Sequence, residues 1–170
     1  MKIWTVGHST RTLEVFQEIL VANGIEVLVD VRTYPGSRRY PQFNKSVLSE
    51  SLGSITYHHE PRLGGRRTPR KDSHNTAWQN AQFRGYADHM ETDEFKEGIK
   101  VLLELAKHSR TTVMCAEAVW WRCHRSLIAD YLKAQGHTVI HIMDAAKTED
   151  HPFTSAASIV EGELSYRGLF

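Results

Sequence analysis

The sequence predicts an α/β fold: a mostly parallel sheet of about five strands with helices on both faces. Three observations lead there. Apolar runs such as Val27-Leu28-Val29-Asp30-Val31 lack the polar alternation of a half-exposed strand, as expected of strands buried on both sides. Segments with helical spacing separate these runs, and Gly, Asn or Pro stands at the joins. Strand–helix alternation favours parallel neighbours joined by right-handed crossovers. The length of 170 residues and mass of 19.4 kDa fit one domain, 1–170, with 143–170 as a C-terminal extension.

Each element has a local reason. Ile3-Trp4-Thr5-Val6 is the first strand and stops at Gly7-His8-Ser9-Thr10. Leu13, Phe16, Ile19 and Leu20 recur at helical spacing after Thr12, a suitable N-cap, and Asn23-Gly24 stops the helix. Residues 27–31 form the second strand. The stretch from Arg32 to Asn44 holds Pro35, Gly36 and Pro41 and reads as loop. Asn44 is placed to cap a short helix from Lys45 to Leu52, and Ile55-Thr56-Tyr57-His58 makes the third strand. Pro61 to Ala81 reads as a long polar loop with Gly64-Gly65 and four arginines, a length usually tied to function. Thr92 or Asp93 caps a helix burying Phe95, Ile99, Leu102, Leu103 and Leu105. Thr111 to Cys115 is the fourth strand, His124 to Gln135 a helix ended by Gly136, and Thr138 to Ile142 the fifth strand. Ser158 to Phe170 is expected to cover part of the sheet edge.

Composition excludes several classes. Hydrophobic residues at 41% and charged residues at 24% are ordinary globular usage, not that of a disordered or collagen-like chain. No run approaches the roughly 18 apolar residues of a membrane helix, so no membrane partner is expected. Met1-Lys2-Ile3-Trp4 opens no signal-peptide pattern. Two cysteines do not make a disulfide framework, so a reducing, cytoplasmic setting is expected. Oligomeric state leaves no mark in the sequence. The net charge of +1 conceals a basic block. Residues 32–71 hold nine Lys and Arg, seven of them Arg, against only Glu50 and Glu60. Such a block is either a set of solvated loops or a face for oxyanions, which arginine forks bind in bidentate fashion.

In open parallel sheets ligands sit beyond the carboxyl ends of the strands. Those positions carry His8, Asp30 with Arg32, Arg38 and Arg39, then His58 and His59 with the basic loop, then Cys115, Glu117, Cys123, His124 and Arg125. Asp30 and Glu117 are candidate acid and base with His8 as proton relay. Equally, Asp30 is placed for a salt bridge to Arg32 or Arg125 that fixes loop geometry. Cys115 is either a small buried hydrophobe or a nucleophile. Cys123, at a helix start beside His124 and Arg125, should be acidified. Arg32, Arg38, Arg39, Arg66 and Arg67, with His124 and Arg125 at the helix N-terminus, are candidate phosphate ligands. Gly64-Gly65-Arg66-Arg67 matches neither a P-loop nor a dinucleotide fingerprint. A metal held by Cys115, Cys123, His124 and His8 lacks the compact Cys-x2-Cys hook, so no metal or other cofactor is called for. Trp120-Trp121 is core or lid, or else a stacking platform for a base or sugar.

Taken in order, Thr5-Val6-Gly7-His8-Ser9, Asp30-Val31-Arg32 with Pro35 and Ser37-Arg38, Pro41-Gln42-Phe43-Asn44, Leu63-Gly64-Gly65, Cys115-Ala116-Glu117 and Cys123-His124-Arg125 resemble the DUF488 family over roughly residues 3–142. That family is named for having no assigned function, and some members carry a DNA-repair label. It tends to show an acidic residue and proline where this chain has Ala118-Val119-Trp120-Trp121-Arg122. A weaker similarity is to rhodanese-like domains, whose Asp-x-Arg strand resembles Asp30-Val31-Arg32 and which would make Cys115 a sulfur carrier. Their tight loop is missing, since Arg125 lies ten positions after Cys115. Three functions follow as expectations. The first is an enzyme acting on a phosphorylated small molecule, nucleotide or nucleic acid by carboxylate and histidine chemistry. The second is a rhodanese- or phosphatase-like thiol enzyme using Cys115 or Cys123. The third is a non-catalytic anion-binding module.

Overall fold

A computed structural model describes residues 1–168. Five parallel strands make the centre of one sheet: β1 (Lys2–Gly7), β2 (Val27–Asp30), β3 (Thr56–His59), β4 (Thr111–Cys115) and β5 (Thr138–Ile142). Their spatial order is β3-β2-β4-β1-β5, and β6 (Thr148–Asp150) adds an antiparallel edge strand beside β5. Two short strands, β7 (Ser158–Val160) and β8 (Glu163–Ser165), form a separate hairpin. The edge of β5 is thus covered by residues 148–150 rather than by the segment after Ser158. Leu169 and Phe170, part of that expected cover, lie outside the described residues.

Strand pleating sorts side chains onto two cores. Ile3, Val27, Val29, Val113, Cys115 and Val139 face one side, while Trp4, Val6, Leu28, Met114 and Ile142 face the other. The second face is closed by α1 (Leu13–Ala22) and α2 (Lys45–Ser51), through Phe16, Ile19, Leu20 and Leu48. The first is closed by α3 (Ala81–His89), α4 (Asp93–His108) and α5 (Arg125–Ala134), through Tyr86, Phe95, Ile99, Leu102, Leu127 and Ile128. Helices on both faces are what two-sided burial of the strands demands.

Thr12 and Thr92 cap α1 and α4 by accepting from the amides of Val15 and Phe95, each at 3.2 Å. Asn44 occupies the N-cap position of α2, but its Oδ1 instead accepts from the Ser37 amide at 2.6 Å. It ties the 32–44 loop rather than the helix. Helical spacing does not announce α3, which follows the long polar loop. Asn80 caps it through the amides of Gln82 and Phe83. Gly85 at its centre lets the basic loop press close, because a Cβ there would stand 2.0 Å from the Arg67 carbonyl oxygen.

A buried hydrogen-bonded chain ties the C-terminal extension to the sheet. Thr5 Oγ1 donates to His141 Nδ1 at 2.5 Å, His141 Nε2 to His151 Nδ1 at 2.8 Å, and His151 Nε2 to Asp130 Oδ1 at 2.8 Å. Asp130 also accepts from the Thr154 amide at 3.0 Å and the Tyr166 hydroxyl at 2.8 Å. Trp120 stacks flat on His141 with centroids 4.7 Å apart, so it belongs to the core. Trp121 is exposed beside it. No helix among the described residues is long and apolar enough to cross a membrane.

Candidate active site

A cleft of about 620 Å³ opens beyond the carboxyl ends of β1, β2 and β4, where the sheet's neighbouring strands leave a crevice. His8 follows β1, Arg32 follows β2, and Cys115 ends β4; all three line it. Glu117, Arg122, Cys123 and His124 enter from the segment leading to α5, Arg66 from the basic loop, and Phe83 and Tyr86 from α3.

The 115–118 segment lies tightly over the end of β1. The His8 amide donates to the Cys115 carbonyl at 2.9 Å and the Ser9 amide to that of Ala116 at 3.0 Å. A Cβ on Gly7 would fall 1.7 Å from the Glu117 carbonyl oxygen, so this crossing requires glycine. Beneath the segment sits Arg125, 1% exposed. Its Nη2 donates to the carbonyls of Glu117 and Ala118 at 3.1 and 3.0 Å. Its Nε and Nη1 have no hydrogen-bond partner among the described residues. This buried guanidinium is held only by carbonyls and has no carboxylate beside it among the described residues.

The two thiols stand side by side. Both cysteines are free and buried, and Cys123 Sγ lies 2.7 Å from Cys115 Sγ. A short 3-10 turn, Trp120–Arg122, folds Cys123 back over the end of β4. That turn occupies the span in which a tight anion-cradling loop would have had to close. Burial opposes ionisation of Cys115, but the Cys123 S–H donor and the charge of Arg125 outweigh it and hold this thiol below its ordinary value. Burial, the hydrogen bond to Cys115 and the charge of Cys115 push the Cys123 thiol well up. The pair is therefore unequal: the Cys115 thiol is held down and the Cys123 thiol is held up. The Arg125 amide points at Cys123 Sγ from 3.5 Å, and His124 Nδ1 lies 3.7 Å from that sulfur.

Asp30 is fully buried under this floor rather than open to the cleft. Oδ1 accepts from the Arg32 amide at 3.1 Å and from Arg32 Nε at 2.9 Å; Oδ2 accepts from Arg32 Nη2 at 2.8 Å and from the Tyr57 hydroxyl. These donors fill the roughly four acceptor sites of a carboxylate. What Asp30 does here is aim Arg32, which also donates to the Phe43 carbonyl at 2.6 Å. Burial and the Asp30 hydrogen bond raise the Tyr57 phenol far above its usual value, so it stays a donor. Arg32 Nη1 remains directed at the cleft, 3.4 Å from His8 Nε2. His8 Nδ1 donates to the Ser9 carbonyl at 2.8 Å, and the ring stacks on Phe43 at 4.3 Å. Burial pushes its pKa down to about 4, so it is neutral near pH 7 and presents Nε2 as an acceptor. Burial does the same to His124, also to about 4, with Arg125 and Arg67 adding repulsion.

Of the residues singled out from the sequence, His8, Arg32, Arg66, Cys115, Glu117, Cys123 and His124 meet in this cleft. Asp30 and Arg125 lie beneath its walls. Arg38 and Arg39 are exposed and do not line it. Arg67 turns toward the Gly64 and Pro61 carbonyls, at 3.1 and 3.4 Å, and toward Glu94 at 3.7 Å. Arg122, Tyr57 and Tyr86 escape sequence reasoning, since neither motif nor strand end marks them. Tyr86 donates to the Leu63 carbonyl at 2.8 Å and holds the glycine pair against α3. Among the described residues no group of three or more His, Cys, Asp or Glu is placed to hold a metal ion.

A family model described as a domain of unknown function, DUF488, matches residues 12–132. Comparison with curated proteins returns no match, and neither does comparison with solved structures. The matched stretch carries every cleft residue from Arg32 to His124, while His8 precedes it. Matching well over half of its 170 residues, the chain belongs to the DUF488 family.

Proposed function

We propose that this protein is a thiol enzyme whose cleft receives a ligand bearing an anionic, phosphate-like group, with Cys115 as the nucleophile. One observation carries the reading: a buried thiol at the cleft floor, beside a second thiol that donates to it and above a guanidinium with no carboxylate partner. The thiolate is the reactive form of cysteine, and electropositive surroundings select it. Arg32, Arg66 and Arg122 line the same cleft, opposed by the Glu117 carboxylate alone. Arginine forks of this kind suit a phosphorylated small molecule or a nucleotide. Arg38 and Arg39, exposed on the loop after Arg32, would extend that track along a nucleic acid strand. Glu117 is the carboxylate that lines the cleft and would serve as a general base there. Neutral His8 presents Nε2 to Arg32 Nη1 and helps to hold it at the cleft. A reducing, cytoplasmic setting would keep the pair as thiols.

Alkylation of the folded protein with iodoacetamide, followed by peptide mass mapping across pH, tests this. Cys115 should be modified first, with a rate midpoint below the ~8.5 of a free thiol. A nucleoside monophosphate should protect it, and the protection should fade as salt rises. A folded protein in which Cys115 resists alkylation at neutral pH removes the reading. Protection that is indifferent to salt removes its anionic ligand.

A further inference from the structure

The cleft holds a second thiol that a simple nucleophile does not need. We propose that Cys115 and Cys123 act together as a dithiol–disulfide couple that reduces a small anionic disulfide. This rests on the reading of Cys115 as the reactive thiol.

Three features carry it. The sulfurs lie 2.7 Å apart and a bond needs about 2.05 Å, so closure asks for a movement of less than about 1 Å. Cys123 is set there by construction: the 3-10 turn returns it to the end of β4, its amide donating to the Trp120 carbonyl at 3.2 Å, and the start of α5 holds it. A hydrophobe would fill this space as well as Cys123 does, and a lone nucleophile would work without a thiol beside it. Both cysteines are nearly enclosed, at 2% and 5% residue exposure, yet both line the cleft. Access is therefore limited to a compact reagent rather than a folded protein's disulfide. Arg32 and Arg66, lining the same cleft, select one that carries carboxylate or phosphate groups.

The steps balance. The Cys115 thiolate attacks one sulfur of the disulfide; that S–S bond breaks, and the first half leaves as a thiolate that takes up a proton. Cys115 now carries the second half in a mixed disulfide. Cys123 Sγ attacks Cys115 Sγ and gives up its proton as the new S–S bond forms. The mixed disulfide breaks, and the second half leaves as a thiolate that takes up that proton. Two protein thiols are oxidised to one disulfide, and one small disulfide is reduced to two thiols. A soluble dithiol restores the couple.

The test is reduced full-length protein mixed with 5,5′-dithiobis(2-nitrobenzoate), a compact disulfide with a carboxylate on each half. The wild-type protein should release both halves as coloured thiolate and lose two hydrogens in intact mass, with no adduct. As these are the chain's two cysteines, a monomer with that mass has Cys115 joined to Cys123. Cys123→Ser should release one half and keep the other on Cys115. Cys115→Ser should react at least ~100-fold more slowly. Wild-type protein that stalls as a stable adduct on Cys115 overturns the couple and leaves the thiol reading standing. Cys115→Ser reacting at the wild-type rate overturns both. Should Cys123→Ser fail to fold, the adduct-free mass of the wild-type product decides the matter alone.

Discussion

Asp30 and Arg125 are buried charges satisfied in different ways. Asp30 receives four donors, two of them from one guanidinium in a bidentate pair. Asp30→Asn leaves Arg32 buried without its counter-charge, and breaking such a pair costs about 3–5 kcal/mol. Urea denaturation should show a loss of that size. Arg125 is met by two carbonyls only, and its charge is one of the causes that hold the Cys115 thiol down. The buried histidines give the protein an acid limit. In the folded state His8 and His124 titrate near 4 and His141 near 2, all depressed chiefly by burial. Unfolded, each titrates near 6.5, so below that pH the unfolded chain binds more protons. Their stabilising contribution is complete above about pH 6.5 and drains away as pH falls toward 4. Denaturation at pH 7 and pH 4.5 should differ by several kcal/mol, and His8→Asn should flatten the slope by roughly one proton's share, ~1.4 kcal/mol per pH unit.

Among the elements, the crossing of the 115–118 segment over β1 matters most to the cleft. Gly7→Ala places a methyl group inside the Glu117 carbonyl. Overpacking of this kind costs about 1–3 kcal/mol or more. The segment must lift, so Cys115 alkylation should slow markedly while far-ultraviolet circular dichroism is retained. Most elements were legible because burial dictates their pattern. Strands β1, β2 and β4 are apolar through their middles, and α1 and α4 carry threonine caps with apolar stripes. Helix α3 was not legible: Gly85 interrupts it, and its buried face includes the polar Asp88 and His89. Asp88 is held there by Ser73, Asn75 and the Arg70 amide, partners supplied by a loop whose path no local rule foretells. Strand β6, Thr148–Asp150, has no hydrophobic residue to announce it. The same distinction runs through the cleft. Residues at strand ends, His8, Arg32 and Cys115, were placed by topology. Arg38, Arg39 and Arg67 sit on loops, where the backbone alone decides which way a guanidinium turns.

At the scale of the molecule, the sheet's two sides meet the cleft through different elements. The α1–α2 side supports Arg32 through Phe43, whose carbonyl it grips. The α3–α5 side delivers both thiols and His124. The C-terminal extension reaches that second side through Asp130, which takes His151, Thr154 and Tyr166 at once. Tyr166→Phe removes one donor from a sealed carboxylate and should cost about 1–3 kcal/mol in thermal or chemical denaturation. Peeling the extension away would strand the Asp130 charge and expose the flank of β5 together. The stretch from His151 to Tyr166 is thereby denied opening of its own. Deuterium uptake at the backbone of residues 148–151 should keep pace with that of β1, both governed by cooperative opening of the whole domain, and limited protease should find no early cut there.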